Sequence, residues 1–320
     1  MELQPRYIEQ THLLEMVDLP FIEANTIPMD LEEIQHKHII PVFTKDNQAL
    51  ISQHEFIQEV KEVITSMHTG AMVGPYIRVS HPVKGRIPSA RHKKVSDLLP
   101  EEETIYYERM MFVFVIPSIT REIDGKELKL VIGGIKAYNK DNFNRKGNSP
   151  QHFSFFIGFQ VRVCSNLCIW SDGAKECIQV NTLHELRLAI MDVLGRYNPE
   201  IEIDFMKTLG NYSMNVKQVA HLIGKGKLYP YLSKSEKFGI IPPGLNDTQI
   251  NLVSRQYFMD DHFAQQGGEI SLWSLYNLFT GALKSSYIDT CMENHLVTGT
   301  FFKHLVHKMD RGESSWYLVP

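Results

Sequence analysis

The chain has 320 residues, 43% of them hydrophobic and 22% charged, with a formal net charge of −4. That length predicts about two domains, with apolar side chains enough for a sizeable core, and the slight acidity gives no global sign of a nucleic-acid or membrane partner. The four cysteines, Cys164, Cys168, Cys177 and Cys291, make no disulfide framework at this length and read as reduced, mostly buried thiols. The N-terminus lacks the basic-then-apolar layout of a secretory signal, and the longest strongly apolar run, Met110 to Ile116, is too short for a bilayer. The expectation is a soluble cytoplasmic protein with no membrane contact and no cofactor.

Residues 1–34 are mixed and acidic, and Pro5, Pro20 and Pro28 break any long helix. They read either as an arm over the body or over a neighbouring subunit, a route to a homo-oligomer, or as a partly ordered tail. His38 to Phe43 is a short apolar strand, with a turn at Asn47. Ser52 and Glu55 have capping-box spacing. The helix behind them buries Phe56, Val60, Val63, Ile64 and Met67 and ends at Gly70.

Tyr76 to Val79 is a short strand, and His81 to Lys94 a basic loop. Tyr106 to Ser118 and Lys126 to Tyr138 form a hairpin about Asp124-Gly125, which supplies the positive φ angles of a type I′ turn. Gly133-Gly134 breaks the apolar alternation and predicts a bulge. Asn142 to Pro150 is a polar loop. The next strand, Phe153 to Cys164, places Phe153, Phe155, Ile157, Phe159, Val161 and Val163 on one apolar face. Ser154, Phe156, Gly158, Gln160, Arg162 and Cys164 form the small or polar face. Glu176 to Val180 is a short edge strand.

From Asn181 the period becomes helical. Thr182 and Glu185 form a second capping box, and Asn198-Pro199 starts another helix. Further helices are expected over Asn215 to Ile223, Thr248 to Phe258, Leu272 to Leu283 and Tyr287 to Met309. Strands followed by helices predict an α+β architecture, an N-terminal twisted antiparallel sheet packed against a C-terminal helical region. The divisions are the arm (1–34), a β-rich part with one long helix (35–181) and a helical part (182–320). The last two need one another for burial.

The basic loop holds Lys84, Arg86, Arg91, Lys93 and Lys94, with Arg109, Lys136, Lys140, Arg145 and Lys146 nearby in sequence. Meeting on one face they would suit phosphates, although Glu101, Glu102 and Glu103 follow at once and blunt the field. Arg162, alone in an apolar strand, reads either as an anion contact or as a buried ion pair with Glu108, Asp172 or Glu176. Trp273, Tyr276, Asn277 and Thr280 share helical spacing and read as core packing rather than as a base-stacking surface.

Other motifs carry less. Cys164, Cys168 and Cys177 lack zinc-ligand spacing, and the pairs around His36 and His262 do not complete a site, so no metal is expected. Gly224-Lys-Gly-Lys227 lacks the spacing of a phosphate loop. A helix-turn-helix after Val216 would need Pro230 inside its second helix. No nucleophile elbow or dinucleotide fingerprint is present, and no catalytic residue is assigned.

Two stretches carry a family resemblance. Arg162-Val-Cys-Ser-Asn166 resembles the Arg-Val-Val-Cys-x-Asn stretch of uncharacterised phage- and plasmid-type proteins, with its cysteine one residue sooner. Ser271-Leu-Trp-Ser-Leu-Tyr-Asn-Leu-Phe-Thr280 is similar to the C-terminal Thr-x-Trp-x-x-Tyr-Asn-x-x-Thr helix of the same group. Ile40 to Asp46 and Ser52 to Phe56 resemble a related domain-of-unknown-function family of Bacteroidetes mobile elements. The resemblance implies a prophage or conjugative-element setting and no activity.

The favoured function is non-catalytic nucleic-acid binding for such an element, single-stranded DNA in replication or recombination. Lys84, Arg86, Arg91, Lys93 and Lys94 lead, with Arg145 and Lys146 behind them. Arg162, Asn166, Trp273, Tyr276 and Asn277 are expected to be structural. The alternative is a protein-interaction factor, such as an inhibitor of a host defence enzyme, whose partner is a host protein. A hydrolase or transferase would need acid, base and nucleophile converging in one pocket.

Overall fold

The computed structural model describes residues 20–37, 50–141 and 149–318, without the side chains of Pro88, Asp172 and Glu176. The strand expected at His38 to Phe43, the turn at Asn47, and Arg145 and Lys146 lie outside the described residues.

From Phe21 onward the described N-terminal residues are built into the body. Phe21 and Ile22 are buried, and the backbone amides of Glu23 and Ala24 both donate to Lys284 O. Strand β1 (Thr26–Met29) pairs antiparallel with β2 (Val73–Ser80). Between them lie helices α1 (Leu31–Lys37) and α2 (Gln53–Met67). The capping box of α2 is complete: Ser52 Oγ accepts from Glu55 N at 3.1 Å, and Glu55 Oε2 accepts from Ser52 N at 2.7 Å.

Strands β3 (Pro82–Arg86) and β4 (Glu103–Tyr107) form a separate antiparallel pair, so the basic loop begins as a strand. The main sheet continues with β5 (Arg109–Ile123), β6 (Lys126–Ala137), β7 (Gln151–Val161), β8 (Leu167–Cys168) and β9 (Ala174–Val180). Its order is β1-β2-β5-β6-β7-β8, with β9 also paired to β7. Asp124 and Gly125 turn the β5–β6 hairpin with φ of 50° and 68°.

Both faces of this sheet are covered. Phe112, Phe114, Ile132, Phe153, Phe155, Ile157 and Phe159 share one core with Phe56 and Val60 of α2. Met111, Val113, Val131, Ile135 and Phe156 meet Phe21, Ile22 and the start of a later helix on the other. The face of β7 expected to be polar is therefore buried as well, with Phe156 and Gln160 inaccessible.

Gly133 and Gly134 do not mark a bulge. They pair in register with Val113 and Phe112, and the irregularity lies in β5 between Ile116 and Thr120. The two glycines make room for rings. A Cβ at Gly133 would lie 2.4 Å from Phe156 Cζ, and one at Gly134 2.4 Å from Phe56 Cζ. The apparent change of face has the same origin, because both faces are apolar.

The helical part contains α3 (Leu183–Arg196), α4 (Pro199–Gly210), β10 (Ser213–Asn215), α5 (Val216–Leu228), α6 (Asp247–Met259), β11 (Glu269–Ser271), α7 (Leu272–Leu283) and α8 (Ile288–Asp310). Strands β10 and β11 pair with each other. The α+β architecture is as expected, a curled antiparallel sheet followed by a helical region. One continuous core runs from Phe56 through Trp170 to Leu305, joining sheet and helices.

Helix α8 buries His295 completely, with Nδ1 lacking a hydrogen-bond partner, and burial pushes its pKa down from 6.5 to about 4. The neutral ring is the form the fold holds, so this contribution is complete above pH 6.5 and lost as pH falls toward 4. About 3 kcal/mol of stability should disappear across that window. His295→Gln should flatten the acid limb of a plot of Tm against pH, and an unchanged limb would contradict the assignment.

Candidate functional site

The arm formed by β3, β4 and their connection carries five cations and four carboxylates between His81 and Glu103. Two of the carboxylates are held in ion pairs. Lys84 Nζ lies 2.9 Å from Glu103 Oε2, and Lys93 Nζ 2.5 Å from Glu102 Oε1. The Glu102 carboxyl is held below the usual range, chiefly by the Leu99 amide and then by Lys93. Arg86 Nη1 turns back onto Lys93 O, and Arg91 Nε donates to His92 Nε2 at 3.1 Å. Arg91 and Lys94 are exposed and face no carboxylate within ion-pair distance among the described residues. Of the five leading cations, two are thus neutralised pairwise, one is folded inward, and two point a full charge to solvent.

Lys136 does not join this patch. It is fully buried, with Nζ 2.6 Å from Asp141 Oδ2, 3.2 Å from His152 O and 4.0 Å from the centroid of the Phe153 ring. Desolvation pushes its pKa down from 10.5 to about 8, against the opposing pull of Asp141. Arg162 pairs with Glu127 at 2.8 Å, and the pair is half-exposed. The partner differs from the three expected because Glu127 lies beside the end of β7, where Arg162 N donates to Glu127 O.

A groove of about 360 Å³ opens at the foot of the arm, lined by Asn25, His81, Val83, Glu108, Arg109 and Tyr287. The Arg109 guanidinium lies 5.9 Å from the centroid of Tyr287, whose ring is 54% exposed. Arg109 also lies 3.3 Å from both Glu108 and Asp289, which hold its side chain in place. Its Nε makes no well-directed hydrogen bond, so the guanidinium is not saturated. Nothing in the sequence singled out Arg109 with Tyr287, because 178 positions separate them and only the fold joins β5 to the start of α8.

A second cavity, about 150 Å³, lies between Lys140, His152, Cys177, Asp289, Met292 and Glu293. The Asp141 carboxylate accepts from His152 N at 2.7 Å and lies 3.3 Å from its Nδ1. Acid, imidazole and thiol thus line one wall region, yet two features argue against nucleophilic chemistry. Asp141 is already neutralised by Lys136 and Asp289 by Arg109, and Glu293 adds negative charge to the lining, whereas reactive thiolates favour electropositive surroundings. The space is also below the roughly 300 Å³ at which small-molecule pockets begin.

The remaining residues are structural. Trp273 and Tyr276 are buried, and Tyr276 stacks on Trp170 at 5.0 Å. Asn277 Nδ2 donates to Trp273 O, and Asn166 Nδ2 donates to Asn277 O, both at 2.9 Å. These bonds tie the turn after β7 to α7. Helix α5 runs straight through Gly224-Lys-Gly-Lys227, which excludes a phosphate loop there. The four cysteines are free, and burial pushes Cys164 up to about 11 and Cys291 up to about 12. No three of the described His, Cys, Asp and Glu residues gather to hold a metal ion.

These features define the class: an α+β protein with one large antiparallel sheet enclosed between helices. No helix among the described residues is long and apolar enough to cross a membrane. A family model described as "Domain of unknown function, B. Theta Gene description (DUF3871)" matches residues 8–318, and the chain belongs to that family. No curated protein and no solved structure matches it.

Proposed function

We propose that the protein is a non-catalytic nucleic-acid-binding factor that engages single strands at the foot of the β3–β4 arm. The carrying observation is the groove that holds the exposed Tyr287 ring beside the Arg109 guanidinium, at the base of the ribbon whose connection carries the solvent-facing Arg91 and Lys94. An exposed ring beside a guanidinium suits a stacked base, with exposed cations elsewhere on the arm left to meet its phosphates. Lys84 and Lys93 contribute less than their number suggests, since Glu103 and Glu102 neutralise them. Resemblance to phage- and plasmid-type proteins supports a role in replication or recombination of a mobile element, in the cytoplasm of its host.

Fluorescence anisotropy with a labelled oligothymidine tests this reading. Affinity should fall steeply between about 50 and 200 mM salt as counterions are released. Arg91→Gln with Lys94→Gln should lower both the affinity and the salt slope. An oligothymidine that stays free at low salt would sink the proposal.

A second reading, contact with a host protein, is favoured by one observation. Leu188 and Met191 of α3 and Ile201 of α4 are exposed apolar side chains on neighbouring helices. It predicts a stoichiometric protein complex that survives nuclease treatment.

A further inference from the structure

A second basic run lies outside the arm. Residues 216–238 contain five lysines, Lys217, Lys225, Lys227, Lys234 and Lys237, and one acid, Glu236, in a chain whose net charge is −4. Helix α5 and the 3-10 turn Tyr229–Tyr231 present this segment on the helical part. Two rings project from it. Tyr231 is 84% exposed and Phe238 91% exposed, the largest exposures among the big hydrophobic side chains described.

The segment is built to hold them there. Phe238 N donates to Ser235 O, and Gly239, with φ of +78°, ends the turn that presents the phenyl ring. Lys237 Nζ donates to Pro230 O at 2.9 Å and lies 5.3 Å from the Tyr229 ring centroid, bracing the loop against the helix end. The single acid is used internally: Glu236 Oε2 accepts from Ser233 N at 2.8 Å, and its carboxyl is held below the usual range by Ser233. Lys225 lies over the Trp316 ring, and Lys227 reaches Asn251 and Asp247. Lys217 and Lys234 are exposed, with no carboxylate within ion-pair distance among the described residues.

We infer that Tyr231 and Phe238, with Lys217 and Lys234, form a second contact for single-stranded nucleic acid on the helical part. This rests on the nucleic-acid reading above and extends it to a surface remote in sequence from the arm. Bare aromatic rings among lysines match the stacking-plus-phosphate mode, which tolerates any base because every base has a flat face. An anionic membrane fits less well. Lys234 and Lys237 lie between the two rings in sequence, so inserting both rings would draw cationic groups toward the hydrocarbon.

The test compares the wild-type chain with three variants by anisotropy on the same oligothymidine, circular dichroism confirming the fold of each. Tyr231→Ala with Phe238→Ala should weaken binding at least tenfold. Lys217→Gln with Lys234→Gln should reduce the salt slope by about 1.4, roughly 0.7 for each lost phosphate contact on a single strand. The third variant, Arg91→Gln with Lys94→Gln, reports the arm. Full affinity in the ring variant overturns the second contact, and loss in the arm variant then leaves the first reading standing. Loss in the ring variant alone supports this contact and overturns the arm. Vesicles of phosphatidylserine and phosphatidylcholine serve as the lipid probe: ring-dependent binding to them, with no oligothymidine bound, overturns both.

Discussion

Asp141→Ala is expected to destabilise the protein by about 3–5 kcal/mol, because it leaves a buried ammonium without its counter-ion. Lys136 projects from β6 into the first core and has no solvent to turn to. Asp141 accepts from Lys136 Nζ at 2.6 Å and from His152 N at 2.7 Å, so one carboxylate fastens the end of β6 to the start of β7. Removing it breaks both bonds and drives the lysine to shed its proton. Urea denaturation of Asp141→Ala, Lys136→Met and the double variant measures the coupling. The double variant should lose less than the sum of the singles, since no lone charge remains in it. Additive losses would show that the two groups act separately.

The wild-type pH profile carries the same signature. Burial lowers the folded-state pKa of Lys136 to about 8 from 10.5, so between those values the unfolded chain binds more protons. Stability should therefore rise with pH through this window, and in Lys136→Met that rise should be absent.

Trp170→Ala should have a comparable effect, about 3–5 kcal/mol, through the cavity left by a large ring. Trp170 follows β8 and is the point where the sheet meets three helices. It stacks on Tyr276 of α7 at 5.0 Å, meets Phe205 of α4 edge-on at 4.8 Å, and rests against α8 where a Cβ on Gly299 would come within 2.7 Å. Loss of the indole should weaken sheet and helices together, so circular dichroism and tryptophan fluorescence should report one shared transition. Two separated transitions would show that the β-rich and helical parts unfold independently.

Local signals made much of this fold legible. Ser271 before an apolar helical stripe defines α7 from Leu272 to Leu283, as expected, and Asp124-Gly125 defines the hairpin. Such features depend on neighbours a few positions apart. What escaped the sequence depends on neighbours far apart. Ser154 and Gln160 look like solvent-facing positions of β7, but α8 and the N-terminal segment cover that side. Lys136 looks like a surface cation, and only its approach to Asp141 beneath Phe153 makes it internal. The basic arm was visible as a charge run, whereas its pairing with Glu102 and Glu103 depends on the register of β3 against β4. Tyr231 and Phe238 gave no helical or strand period, so their exposure had no sequence signature.

The margin of the sheet at β1 sets limits on how copies of this chain could associate. Its outermost described strand is four residues long and contains Pro28, which has no amide hydrogen to offer. A second molecule docking edge to edge there would find a ladder too brief and one rung short. Polymerisation by continuous sheet growth from this border is thereby discouraged, and self-association there would have to be built from side chains rather than from backbone pairing.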